Sequence, residues 1–214
     1  MKNKLEKWVR WIKIICTDVE DLCYNRYVFL EVQSIIKAND VINVNNPFFD
    51  LLYNGFTSIG VMGVRRQVKI QNDGISLARL IKEIYENPQI ISLHWYKSIH
   101  DDSMEEGLIR SIFMDFKASD TDHIDPEMVK QDLESLEKST NSVEGFADRR
   151  LAHSDKRTVE PHPTFGDLHE CINLIEALVL KYRLILTGVS ESFTPIIIED
   201  WEAVFRVPWI NIET

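Results

Sequence analysis

At 214 residues and 25.0 kDa, the chain is long enough for one domain with a sizeable core. Its 34 acidic against 24 basic residues leave a net charge of −10, which excludes a protein that coats nucleic acid over its whole surface but not one with a small local basic site. No apolar run approaches the ~20 residues of a membrane span, no signal-peptide pattern opens the chain, and Cys16, Cys23 and Cys171 sit in helical patterns without zinc spacing, so a cytoplasmic chain with buried free thiols and no metal or cofactor is expected.

The chain begins with helical character. Leu5, Trp8, Val9, Ile12, Ile15, Cys16, Val19, Leu22 and Cys23 recur at helical spacing, and Tyr27, Leu30, Ile35 and Ile36 continue the pattern. With no glycine or proline to interrupt it, this predicts one long helix, or two with a bend near Thr17-Asp18, closed by Asn39-Asp40. Val41–Val44 alternates weakly but is too short to build a sheet. Asn46-Pro47 is a cap followed by proline at the first helical position, and it opens a second helix carrying Phe48, Phe49, Leu51, Leu52, Phe56, Ile59 and Val64. Gly55, Gly60 and Gly63 within it each cost roughly 1 kcal/mol against alanine. Either a neighbouring helix, from this or a second subunit, comes close there, or a glycine kinks the helix.

Asn72-Asp73-Gly74 is a turn, after which Ser76 caps a short helix from Leu77 to about Glu86, ended by Asn87-Pro88. Ser103 with Glu106 has the spacing of a capping box, with Leu108, Ile109, Ile112 and Phe113 as the apolar face behind it. Asp125-Pro126 opens a long helix whose stripe is Met128, Val129, Leu133, Leu136, Val143 and Phe146. Thr164 and Asp167 form another capping box, followed by Leu168, Cys171, Ile172, Ile175, Leu178, Val179, Tyr182, Ile185 and Leu186, and Gly188 stands where that helix ends. A tail from about 189 holds a short helical piece around Trp201–Phe205 and an extended Val207-Pro208-Trp209-Ile210 end. No repeat or linker divides residues 1–214. The expectation is an all-α, single-domain helical bundle.

Between the two long helices, Pro161 and Pro163 forbid continuity. There lies the densest ionisable stretch of the chain, Asp148-Arg149-Arg150-Leu151-Ala152-His153-Ser154-Asp155-Lys156-Arg157. Charged residues in the last turn of a helix also complement its dipole, which is the plain structural account of the cluster. A polar Asp-Arg-x-x-Ala-His turn at the end of a long helix in an all-helical chain resembles the HEPN superfamily, and within it the AbiU-like branch of abortive-infection proteins. Ile75–Leu80, the later helix and the tail Asp200–Trp209 are similar to that branch as well, so the likeness spans most of the chain. At the family spacing of five intervening residues, the arginine position falls on Ala147; Arg149 and Arg150 lie closer to His153, with three and two residues between.

The resemblance implies a homodimer in which two Arg-His turns meet in one cleft, and a phage-defence or toxin-type role through metal-independent RNA cleavage, with an antitoxin as a further partner. Histidine suits the proton transfers because it titrates near neutrality. Arginine suits the phosphate because its fork matches two oxygens. His153 is then the acid/base, Arg149 or Arg150 holds the scissile phosphate, and Asp148 or Asp155 orients them. Lys156, Arg157 and the distant Arg65-Arg66 pair supply RNA-binding charge. A second class of reading is a non-catalytic HEPN-like module that binds RNA or a nucleotide, or regulates a partner; a third is a helical interaction protein. His162, His169, Glu170 and Cys171 meet no metal-ligand spacing, and no Gly-rich phosphate loop or Gly-x-Ser-x-Gly elbow is present. His94, His100 and His123 read as surface or interface residues.

Overall fold

The computed structural model describes residues 2–101, 103–147, 163–193 and 200–208. Helix α1 (Lys2–Lys37) runs unbroken for 36 residues, about 54 Å at 1.5 Å per residue. The bend allowed near Thr17-Asp18 does not form, because the buried stripe of Trp8, Ile12, Ile15, Val19 and Leu22 passes through it in register. Helix α2 (Pro47–Val68) starts as expected, with Asn46 accepting from the Phe48 amide at 2.9 Å. Its apolar residues divide differently from the sequence reading: Phe56 and Val64 are buried, whereas Leu51 is 66% exposed and Ile59 50%.

Two glycines of α2 are explained from within the chain. A β-carbon on Gly60 would stand 2.9 Å from Leu168, and one on Gly63 2.8 Å from Leu22, so α1 and α7 press against α2 at these two positions. Gly55 has no neighbour within 4 Å. No second subunit is needed to account for Gly60 and Gly63.

Helix α3 (Leu77–Tyr85) turns one face wholly into the core. Leu77, Ala78, Leu80, Ile81 and Ile84 are all fully buried. The Ser76 hydroxyl accepts from the Arg79 amide at 3.2 Å and donates to the Lys69 carbonyl at 2.7 Å, which fixes the entry of α3 against the end of α2. A polar clamp ties α3 to α1. Glu83 accepts from Trp8 Nε1 at 2.9 Å and pairs with Lys7, while Lys7 and Arg79 lie over the Trp11 ring at 4.5 and 4.6 Å. Burial opposes ionisation of Glu83, yet the bonds from Lys7 and Trp8 hold its carboxyl below the usual range.

After a short 3-10 turn at Pro88–Ile90 comes α4 (Leu93–Ser98), which the sequence reading did not anticipate. Ser92 caps it by accepting from the Trp95 amide at 3.2 Å. Helix α5 (Glu106–Met114) begins after Glu105, without the expected capping box. Ser103 instead turns back to Asp101, which accepts from its amide at 2.9 Å and from its hydroxyl, so it is unavailable to the helix. The loop after α5 is pinned to the segment before α4: the Leu93 amide donates to Asp122 at 2.7 Å and the Ile124 amide to Ile91 at 3.0 Å. These are isolated bridges, and the described residues contain no strand; Val41–Val44 is a turn region.

Helices α6 (Pro126–Phe146) and α7 (Phe165–Thr187) complete the bundle. Asp125 accepts from the Glu127 amide at 2.9 Å. The Thr164–Asp167 capping box is formed in both directions, and Gly188 ends α7 in the left-handed region at φ 70°. Asp132 of α6 accepts from Tyr182 Oη at 2.9 Å and Lys181 Nζ at 2.7 Å, which locks α6 to α7. Arg26 of α1 reaches Asn173 at 2.6 Å and Glu176 at 3.0 Å, Phe29 meets Phe165, and Ile12 and Cys16 lie by Arg183 and Thr187, so α1 and α7 run antiparallel with the start of α7 beside the second half of α1. The result is an all-α bundle. Within the described residues no helix is long and apolar enough to cross a membrane. A 3-10 segment at Trp201–Arg206 corresponds to the short helical piece read around Trp201–Phe205.

Candidate functional site

The expected site lies between the end of α6 and the start of α7. Asp148, Arg149, Arg150, His153, Asp155, Lys156 and Arg157 all fall outside the described residues, as does His162. What is described is the frame around them. On one side α6 ends at Ala147, whose amide bonds back to the Glu144 and Val143 carbonyls. On the other, Pro163 leads into the Thr164 cap of α7.

Ala147 is 0% exposed and belongs to the main hydrophobic core. The position that the resemblance assigns to a phosphate-binding arginine is therefore a core position in this chain. An arginine side chain there would bury a guanidinium among apolar groups, which is costly without a carboxylate partner.

A small cavity of about 70 Å³ sits where the two helix ends meet α2, lined among others by Thr57, Val61, Val143, Phe146, Pro163 and Leu168. Thr57, Val61 and Arg65 follow one another at i, i+4 and i+8, so Arg65 lies one turn beyond the cavity wall on the same side of α2. Arg66 turns the other way and pairs with Asp18 of α1 at 3.3 Å. The two arginines read together in the sequence thus face different ways: Arg66 is held against α1, and Arg65 lies on the cavity side of α2.

Beside this frame is an aromatic cluster that the sequence reading missed. Phe29 stacks on Phe56 with ring centres 4.0 Å apart and meets Tyr53 edge-on at 5.7 Å; Phe165 lies 5.7 Å from Phe29. His169 closes it, 5.9 Å from the Phe56 ring. Its members come from α1, α2 and α7, so no local spacing announces it. His169 is half-buried with Nδ1 enclosed and unpartnered, and burial, with the Arg26 charge adding to it, pushes its pKa below the ordinary histidine value.

The remaining candidates have structural roles. Cys171 is buried, its thiol donates to the Ser139 carbonyl at 3.3 Å, and burial pushes its pKa up to about 11. Cys23 is pushed up to about 12 and the half-buried Cys16 to about 11, both mainly by burial, so none of the three is an activated nucleophile. No cluster of three metal-binding side chains occurs among the described residues. His94 is exposed, as expected. His100 is half-buried: its ring packs edge-on against Tyr96 at 4.8 Å and against Gly188, and its Nε2 is enclosed. His123 is half-buried, with Nδ1 2.9 Å from the Ile124 carbonyl. No family model matches the chain, and neither a curated protein nor a solved structure matches it.

Proposed function

We propose that the chain is a HEPN-like phage-defence or toxin-type protein that cleaves RNA without a metal ion, with two copies bringing their Arg-His turns into one cleft. The observation that supports this reading is the pair of helix ends. In an all-α bundle, α6 stops at Ala147 and a capped α7 restarts at Phe165, bracketing the densest ionisable stretch of the chain. In this reading His153 takes the 2′-hydroxyl proton, and its counterpart in the second copy protonates the leaving 5′-oxygen. Ala147 is committed to the core, so Arg149 or Arg150 neutralises the phosphate, and Arg65 adds charge from α2. An antitoxin partner would restrain the enzyme.

A second reading, a non-catalytic module that binds RNA or a nucleotide or regulates a partner, is favoured by that same burial of Ala147. Incubation of purified protein with mixed-sequence RNA in EDTA, beside His153→Ala, separates the two. Cleavage leaving 2′,3′-cyclic phosphates, reduced at least ~10²-fold by the substitution as expected for lost acid–base catalysis, supports the enzyme. RNA binding without turnover supports the module. Cleavage unchanged by His153→Ala removes the site assignment.

A further inference from the structure

An open groove of about 780 Å³ runs between the first turns of α1 and the segment Ile90–Ile99, at the opposite end of α1 from the start of α7. Leu5 and Val9 form one wall; Ile90, Trp95 and Ile99 form the other. Leu5 and Val9 lie one helical turn apart on the flank of the buried stripe, packed on the core yet still partly exposed.

The rim has the opposite sign to the molecule. Arg10, Lys13 and His94 line it, with Glu6 as the single acid, on a chain of net charge −10. Nearby cations are satisfied: Lys7 pairs with Glu83, Lys97 with Glu106 and Arg183 with Glu191. Among the described residues, no carboxylate comes within 4.0 Å of Arg10, Lys13 or His94. The groove hydroxyls are turned to backbone instead, Ser92 to the Trp95 amide at 3.2 Å and Ser98 to the Trp95 carbonyl at 2.6 Å. An aliphatic floor with its hydroxyls so engaged suits a ridge of aliphatic side chains better than base edges, and a basic rim suits carboxylates beside that ridge. From Leu5 to Lys13 the groove extends about 12 Å along α1, the length of two turns of a docked helix.

We propose that this groove is a docking site for an amphipathic helix of a partner protein, with a leucine-like ridge flanked by Asp or Glu. The site is separate from the proposed Arg-His turn and stands or falls independently of it.

The test uses two designed fluorescein-labelled helical peptides with the same leucine ridge, one flanked by glutamates and one by lysines, titrated by anisotropy with the full chain. The glutamate peptide should bind saturably, more weakly as salt rises. Arg10→Glu with Lys13→Glu should weaken it about tenfold, which corresponds to ~1.4 kcal/mol, whereas Arg10→Lys should not; both positions are exposed, and circular dichroism checks that the fold is kept. No binding of the glutamate peptide, equal binding of the lysine peptide, or indifference to the double substitution overturns the proposal. So does a single-stranded RNA that displaces the peptide and is itself lost in the double variant, or a self-association that the double variant abolishes.

Discussion

Gly188→Ala tests how tightly the end of α7 is fitted to α4. The substitution has two costs. At φ 70° an L-residue sits in the left-handed region, at about 1–2 kcal/mol. The new β-carbon would also lie 2.5 Å from His100 Cε1 and 3.1 Å from both ring nitrogens. His100 has little room to yield, because its ring is packed edge-on against the fully buried Tyr96 with ring centres 4.8 Å apart. Overpacking of this kind costs about 1–3 kcal/mol. The sum predicts a loss of roughly 2–5 kcal/mol in urea unfolding followed by circular dichroism, read as a lower midpoint at unchanged slope. The steric part vanishes if the ring is removed. In a His100→Ala background, Gly188→Ala should therefore cost only the backbone part, a coupling of about 1–3 kcal/mol. Equal cost in both backgrounds would show that the helix end moves freely and that His100 does not wall it in.

Three other outcomes follow from the same packing. Ala147→Arg should lower stability by more than ~3 kcal/mol in the same assay, with no gain in RNA cleavage, since it buries an unpaired charge in the core; a stable, more active variant would refute the placement of that position. Asp132→Ala should cost about 1–3 kcal/mol, because it strands the fully buried Tyr182 hydroxyl, and adding Tyr182→Phe should recover part of the loss, so an additive double variant would refute the bond. His169 has a pKa below its unfolded value, so the unfolded chain binds more protons near the ordinary histidine range and stability should fall as pH drops through and below that range. His169→Gln should flatten that part of the pH profile, and an unchanged profile would assign the slope to other groups.

Legibility from sequence varied with how local the cause is. Helix α7 was readable in full: the Thr164–Asp167 box, the nine buried positions and the Gly188 stop are all set within the segment itself. Ser76, Asn46 and Asp125 were legible for the same reason. Helix α4 was not, since six residues hold too little periodicity to separate from a loop. The Ser103 box failed because Asp101, two residues away, competes for the same groups. The faces of α2 were misassigned because nothing in its own residues says which apolar side meets α1 and α7; only Leu22 and Leu168, opposite Gly63 and Gly60, decide that. At the candidate site, the core role of Ala147 is a tertiary fact, and so is the separation of Arg65 from Arg66, which Asp18 of α1 brings about.

The antiparallel pairing of α1 with α7 has a consequence during synthesis. Arg26 and its partner Asn173 are 147 residues apart, so the first helix made has to wait for the last long one. At roughly 5–20 residues per second, that wait is on the order of ten to thirty seconds on the ribosome. Throughout it, the side of α1 that α7 will cover stays bare on the nascent chain, although α2 can already meet α1 at Leu22. Chaperone dependence and aggregation of truncated products should therefore track whether α7 has emerged.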